Sequence, residues 1–240
     1  MSLSIENLAW DSAFFKLDVG RIDVSRSGVW NALELKDLIV HSSKDLLYVF
    51  VSGTLTEPEN AAVRQVLSTS SGVRYDKRMT FRKRLATSAL ASQKGAIAAT
   101  RLSAPLMELA YASGVYSRFS LDCRLSPFFR PMYQKWLEKD FANGKVFVWP
   151  NDVNPQGMAT ISVREGRGTI GLVAVTEQSR GKGIASALMK TADDWLLSQG
   201  IYECEVVTQG ANLAAQALYR KAGFSCCEQT DVWHVWRKRT

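Results

Sequence analysis

Between residues 171 and 198 the chain reads as an apolar strand that passes through a glycine-bearing loop straight into an amphipathic helix. Gly171-Leu172-Val173-Ala174-Val175 is short, apolar and partly β-branched. Thr176-Glu177-Gln178-Ser179-Arg180-Gly181-Lys182-Gly183 follows, and then Ile184, Ala187, Leu188, Thr191 and Trp195 recur at helical spacing. A strand that feeds a helix through so short a loop belongs to an α/β architecture. The first turn of such a helix leaves backbone N–H groups without partners, and their dipoles favour an anion. Gly181 and Gly183 carry no Cβ, so a phosphate can approach the backbone. Arg180 and Lys182 add positive charge. The segment reads as a pyrophosphate cradle. It is not a Walker loop, which has four residues between its glycines and then Lys-Ser/Thr. It is not the dinucleotide fingerprint either, because position 186 is Ser and no acidic residue is suitably placed.

Composition fits this reading. The chain has 240 residues, enough for one large domain or two small ones. Its 46% hydrophobic and 22% charged residues exclude a disordered, collagenous or coiled-coil chain. Lys+Arg 30 against Asp+Glu 23 gives a net charge of +7, which favours anionic partners. No apolar run approaches the ~20 residues that cross a bilayer. Met1-Ser2-Leu3-Ser4-Ile5-Glu6 lacks the basic and apolar regions of a signal peptide, so a cytoplasmic location is expected. Cys123, Cys204, Cys226 and Cys227 form no CxxC pair, and His41 and His234 lie far from any cysteine cluster. Neither zinc nor a disulfide framework is expected. With only those 2 histidines and no GxSxG, a Ser/His hydrolase is unsupported.

Along the chain, strands are expected at 19–24, 46–51 and 74–84, with helices at 29–39 and from Pro58 to Leu67. The 74–84 stretch is strongly basic: Arg74, Lys77, Arg78, Arg82, Lys83 and Arg84 against Asp76. It reads either as a solvated strand face or as a phosphate-steering patch. Small and polar residues from Ala86 to Gly95 read as a linker, which places a boundary near residue 90 and domains at 1–90 and 91–240. Helices at 103–112 and 127–141 flank a loop at 117–126. Strands follow at 145–149, 158–164 and 169–175, the last two joined as a hairpin at Glu165-Gly166-Arg167-Gly168. Helix 184–198, strand 202–208, helix 212–222 and a final pair of strands complete the expected order.

The second helix of that series has clear ends. Asn212 stands where an N-cap belongs. Gly223 stands at the C-cap, with Phe224 as the following hydrophobic contact. Asn212 and Tyr219 are seven apart, close to two helical turns (~2 × 3.6 residues), and so share a face.

Gln178-x-x-Gly181-x-Gly183-Ile184-Ala185, followed by Asn212-x-x-Ala215-x-x-Leu218-Tyr219-x-x-x-Gly223-Phe224, resembles the GNAT superfamily of acyl-CoA-dependent N-acyltransferases. The resemblance covers roughly residues 97–240. It implies a mixed α/β sheet of GNAT type with helices on both faces. It also implies acetyl-CoA as co-substrate and no metal. The pantetheine arm would lie along Leu172, Val173, Ala174 and Val175. The pyrophosphate would sit on Gln178, Ser179, Arg180, Gly181, Lys182, Gly183, Ile184 and Ala185. Asn212 would bond the pantetheine. A backbone N–H near Val173 would hold the oxyanion. Tyr219, protonated at neutral pH, would act as general acid to the leaving thiolate. The general base stays open among Asp122, Asp152, Glu165, Glu177 and a water relay. Cys123 reads as structural.

Trp10-Asp11-Ser12-Ala13-Phe14-Phe15, and Ser117-Arg118-Phe119 ahead of Tyr133-Gln134-x-Trp136, are similar to the dTDP-fucosamine N-acetyltransferase group. Those enzymes acetylate a nucleotide-linked amino sugar, and the similarity implies a smaller, degenerate GNAT-like α/β domain ahead of the catalytic one, in keeping with the boundary near residue 90. The similarity implies a nucleotide-sugar amine as acceptor, bound with the help of Arg118 and Phe119, Arg suiting a phosphate bidentately. In this reading the N-terminal domain serves the acceptor side. Other small amines, a protein or peptide amine, and a non-catalytic acyl-CoA-binding module remain alternatives. Neither nucleic acid nor membrane is an expected partner. The oligomeric state is open, a homodimer being one option.

Overall fold

The computed structural model of the protein describes residues 3–25, 30–86 and 95–237. In chain order the elements are β1 (Glu6–Asn7), α1 (Ala9–Phe15), β2 (Val19–Val24), α2 (Ala32–Val40), β3 (Leu46–Ser52), α3 (Glu57–Thr69) and β4 (Val73–Arg84). Then come β5 (Ile97–Ala98), α4 (Ala104–Ser113), α5 (Arg118–Leu121), α6 (Ser126–Asn143), β6 (Lys145–Trp149), β7 (Gly157–Arg164) and β8 (Arg167–Val175). A single 3-10 turn (Glu177–Ser179) leads to α7 (Ile184–Ser198), β9 (Glu203–Gln209), α8 (Leu213–Lys221) and β10 (Ser225–Trp236). Two expectations change. The region 117–126 is not all loop, because Ser117 caps the short helix α5 by accepting from the Ser120 amide. The final pair of strands is one strand of 12 residues, β10. Residues 87–94 of the expected linker lie outside the described residues.

The chain divides into two compact units. The first comprises the residues up to Met79, Gln209–Ala211, and those from Glu228 on. In it β2 pairs antiparallel with β1 and parallel with β3, and β3 pairs antiparallel with β10 from Ser52↔Thr230 to Leu46↔Trp236. Leu46 to Val51 are buried without alternation, as expected of a strand covered on both faces. Leu35 and Ile39 of α2 and Val63, Val66 and Leu67 of α3 share a core with Ile22, Val24, Leu47, Val49 and Val51. Helix α3 opens on a capping box in which the Glu59 carboxylate accepts from the Thr56 amide at 2.6 Å.

The second unit comprises Thr80–Thr208 and Asn212–Cys227. Its strands run in the order β5-β6-β7-β8-β9-β4. β5, β6, β7 and β8 pair antiparallel in turn. The β7–β8 turn is two residues, Glu165 at φ 51° and Gly166 at φ 74°, a conformation that matches the strand twist. β8 and β9 are parallel, joined by the crossover helix α7. Leu106, Leu109 and Ala110 of α4 and Tyr133 and Leu137 of α6 pack with Val146, Val148, Met158, Leu172 and Ala174. The other sheet face takes α7, where Trp195 meets Phe147 edge-on and Leu196 packs over Gly168. Helices therefore cover both faces of a mixed sheet.

The basic stretch is now a strand with much of its charge paired. Arg74 meets Asp231 at 3.3 Å, Arg82 meets Glu205 at 2.7 Å and Lys83 meets Asp193 at 2.6 Å.

Candidate active site

The site begins where two parallel strands part. β8 and β9 pair only from Gly168↔Cys204 to Ile170↔Val206, although β8 continues to Val175 and β9 to Gln209. The same point carries a β-bulge. β7 and β8 are in register at Ala159↔Val173 and again at Ile161↔Ile170, so Gly171 and Leu172 together oppose Thr160. The Leu172 N–H donates to the Thr160 hydroxyl at 2.9 Å, on the β7 side. From Gly171 to Val175 β8 has no paired residue on β9, so its peptide groups that face β9 there have no ladder partner.

At the open end of β8 the chain enters the glycine loop. Thr176 donates its N–H to the Gln156 carbonyl at 2.8 Å, and the buried Ser179 donates its hydroxyl to Gln156 Oε1 at 2.9 Å. Gly181 and Gly183 have φ of 76° and 79°. Only glycine takes this left-handed region without strain. A Cβ at either position would meet nothing within 4 Å, so the loop faces open space. Gly183 caps α7 without any side-chain hydrogen bond, which leaves the first-turn N–H groups of α7 uncapped. Gln178, Arg180 and Lys182 are exposed around them, Arg180 donating from Nε to the Val175 carbonyl at 3.4 Å. Ile184 is buried under the loop and Ala185 is half-buried.

Helix α8 follows β9. Asn212 is its N-cap, its side chain accepting from the Ala215 amide at 3.1 Å. Gln216 and Tyr219, four and seven residues on, are the buried residues of the helix. The Tyr219 ring lies 5.9 Å from Phe81 and 6.0 Å from Phe224. Burial pushes its phenol above the ordinary tyrosine value, so the proton is held throughout the physiological range.

The remaining sequence candidates fall in varied places. Phe119 is buried edge-on to Trp136 at 5.7 Å, and the Arg118 guanidinium lies 4.3 Å above the Phe119 ring. Phe15 is buried, while Trp10 stacks on Phe14 at 5.0 Å. Asp122 is fully buried and accepts from the Arg124 amide at 3.0 Å. The Asp152 carboxylate takes the Thr100 N–H at 3.1 Å and the Thr100 hydroxyl at 2.5 Å, which hold it below the usual carboxylate range. Glu165 sits in the hairpin turn, at the end of β8 away from the glycine loop. Glu177 is exposed in the 3-10 turn.

Residues that sequence reasoning passed over complete the region. The Thr160 hydroxyl, opposite the bulge, donates to Oδ2 of Asp140. Gln156 anchors both ends of the turn ahead of the glycine loop. Asp140 carried one readable signal. It lies three and seven residues beyond Leu137 and Tyr133, in the buried phase of α6, where a carboxylate needs a partner.

Residues 112–224 match the model of the acetyltransferase (GNAT) family. The chain is 34% identical over 68 residues to an uncharacterized N-acetyltransferase of Bacillus subtilis (strain 168), YobR, a stretch that is 28% of each chain. It is also 34% identical over 77 residues to N-acetyltransferase 8B of Homo sapiens, 32% of this chain and 34% of that one. The chain thus spans about a third of the length of these curated relatives. A GCN5-related N-acetyltransferase from Sphaerobacter thermophilus superposes with a TM-score of 0.56 at 15% identity, covering 99% of this chain and 77% of that one. Parted parallel strands, a bulge at their fork and an uncapped glycine loop at their open end are here the framework of a GNAT fold, and residues 112–224 are the part that matches the acetyltransferase (GNAT) family.

Proposed function

We propose that the protein transfers an acetyl group from acetyl-CoA to a primary amine. The observation that carries this reading is the fork after Ile170↔Val206, with the uncapped α7 N-terminus at its open end. A pantetheine arm can complete the missing ladder along Val173 to Val175. The pyrophosphate then meets the amides of Arg180 to Ala185 and the charges of Arg180 and Lys182. Leu172 contributes its position but not its N–H, which Thr160 holds. Both curated relatives bear N-acetyltransferase names, which supports the same chemistry.

Direct attack of a neutral amine on the thioester needs no covalent enzyme intermediate. The Val173 N–H faces the developing oxyanion. Asn212 stands at the start of α8 to bond the pantetheine. Tyr219 holds its proton at neutral pH and gives it to the departing sulfur. The acceptor we propose is the amine of a nucleotide-linked amino sugar. That choice rests on the similarity of Trp10–Phe15, Ser117–Phe119 and Tyr133–Trp136 to the dTDP-fucosamine group, with Arg118 set to meet a phosphate.

A thiol-release assay with acetyl-CoA tests both levels. Acceptors are dTDP-4-amino-4,6-dideoxygalactose, aminoglycosides and a peptide with a free N-terminus. Turnover of aminoglycosides but not of the dTDP-sugar overturns the narrow reading. CoA binding without release on any amine leaves a non-catalytic CoA-binding module.

A further inference from the structure

The acetyl-transfer reading leaves the acceptor's proton without a destination, and the inference here rests on that reading. Each of the four carboxylates expected from sequence is occupied or displaced. Asp122 is fully buried, Asp152 is tied to Thr100, Glu165 lies at the far end of β8, and Glu177 is on the exposed glycine-loop side. A fifth carboxylate stands at the fork. Asp140 reaches the sheet from α6, and its Oδ2 takes the Thr160 hydroxyl. Among the described residues that is the sole hydrogen bond to the carboxylate, and Oδ1 has none. Thr160 in turn accepts the Leu172 N–H, and the relay runs from Leu172 N–H to Thr160 Oγ1 and from Thr160 O–H to Asp140.

Gly171 opens this carboxylate to the fork. It is exposed, and a Cβ there would lie 2.6 Å from Thr160 Oγ1 and 3.0 Å from Asp140 Oδ2. Any side chain at 171 would therefore cover the Asp140–Thr160 pair or push it away. The bulge, the missing side chain and the half-engaged carboxylate coincide within two residues of Val173, whose N–H the acetyl-transfer reading sets against the thioester. We propose that Asp140 is the general base for the acceptor amine, held by Thr160 and reached across Gly171.

The proton count closes. The acceptor ammonium gives one proton to Asp140 Oδ1. The freed lone pair attacks the thioester carbon, the C–N bond forms and the C–S bond breaks. Sulfur takes a proton from Tyr219, and the second proton leaving nitrogen restores it. Asp140 then releases its proton to water, so R–NH3+ and acetyl-S-CoA yield R–NH–CO–CH3, CoA–SH and H+. Burial raises the Asp140 pKa from its ordinary value, against the lowering effects of Thr160 and of the charges of Arg164 on β7 and Lys139 on α6. A carboxylate so placed is a better base than a solvated one.

The test is Asp140→Asn, assayed by thiol release on whichever amine the wild type acetylates. The expected result is a loss of about 100-fold or more in kcat, within the usual range for a general base, with CoA affinity by calorimetry unchanged within about twofold. Hydroxylamine, neutral at pH 7, should be acetylated nearly equally by both proteins, because its nitrogen needs no prior deprotonation. Asp140→Glu should recover part of the rate. An unchanged kcat, or an equal loss with hydroxylamine and with the cationic amine, overturns the proposal. Wild-type protein that binds CoA but releases no thiol on any amine overturns the acetyl-transfer reading itself, a result separable from failure of the variant alone. Thr160→Val, which keeps the shape and removes the hydroxyl, is the second variant. It should lower kcat more than it raises KM, and a rise in KM alone contradicts the relay.

Discussion

The Ser179 hydroxyl donates to the Gln156 side-chain carbonyl at 2.9 Å, and the Gln156 backbone carbonyl accepts the Thr176 N–H at 2.8 Å. One residue just ahead of β7 thus fixes both the entrance and the exit of the turn that precedes the glycine loop. Gln156→Ala keeps the backbone bond and removes the side-chain bond, leaving a buried hydroxyl unpaired at a cost of about 1–3 kcal/mol. CoA affinity should fall about tenfold, since the loop amides lose their fixed position. Calorimetric titration of CoA checks this. An unchanged dissociation constant would show that the loop holds its shape without Gln156.

Gly183 has room for a side chain but not the backbone freedom to carry one. With φ at 79° and nothing within 4 Å of an added Cβ, the cost of Gly183→Ala is conformational and not steric. Left-handed backbone costs an L-residue roughly 1–2 kcal/mol. The melting temperature should drop by about 2–8 °C for that loss, and CoA binding should weaken because the first α7 amides rotate with the loop. Scanning calorimetry with and without CoA measures both. A stable variant with full affinity would mean that the positive φ is not needed for binding.

Asp140 makes a prediction about stability as well as rate. Burial raises its folded-state pKa above the unfolded value. A carboxyl of that kind binds its proton more tightly when folded. Its stabilising contribution is fully present below the ordinary carboxylate pKa of ~3.9 and is lost as pH rises through the folded-state value. Near neutral pH the ionised group works against folding. Asp140→Asn should therefore melt at or above the wild-type temperature at pH 7 and lose that advantage under acid. Paired melting curves across pH 4 to 7 test this. A melting temperature well below wild type at pH 7 would mark Asp140 as a structural group.

How much of this was legible in the sequence follows from range. Gly181, Gly183, Asn212 and Gly223 are caps and turns, set by the residues beside them, and the helix 184–198 and strand 145–149 stand where their periodicity places them. The hairpin was readable for the same reason. The fork and the bulge were not. They depend on β8 meeting β7 and β9 in a particular register, and nothing between 167 and 175 announces an extra residue. Asp140, Thr160 and Gly171 are 20 and 11 residues apart in sequence and meet only through that register. Helix α5 escaped because one turn capped by Ser117 has no periodicity to detect. β10 was split in expectation, although its 12 residues contain no glycine or proline to break it.

The four cysteines should separate cleanly in a thiol titration. Cys123, Cys226 and Cys227 are exposed, and Cys204 is buried in β9. Burial pushes the Cys204 thiol up to about 12, so almost none is thiolate at neutral pH. Ellman's reagent should modify the three exposed thiols in native protein and Cys204 only after unfolding. Rapid modification of all four under native conditions would show that β9 opens readily.

The central claim is that acetyl-CoA fills the fork between β8 and β9. A crystal structure of the protein with CoA tests it most directly. The pantetheine is expected along Val173 to Val175, the pyrophosphate on the amides of Arg180 to Ala185, and the sulfur at the fork between Tyr219 and Gly171. CoA bound away from the fork, or a pyrophosphate that does not touch the α7 N-terminus, would contradict it.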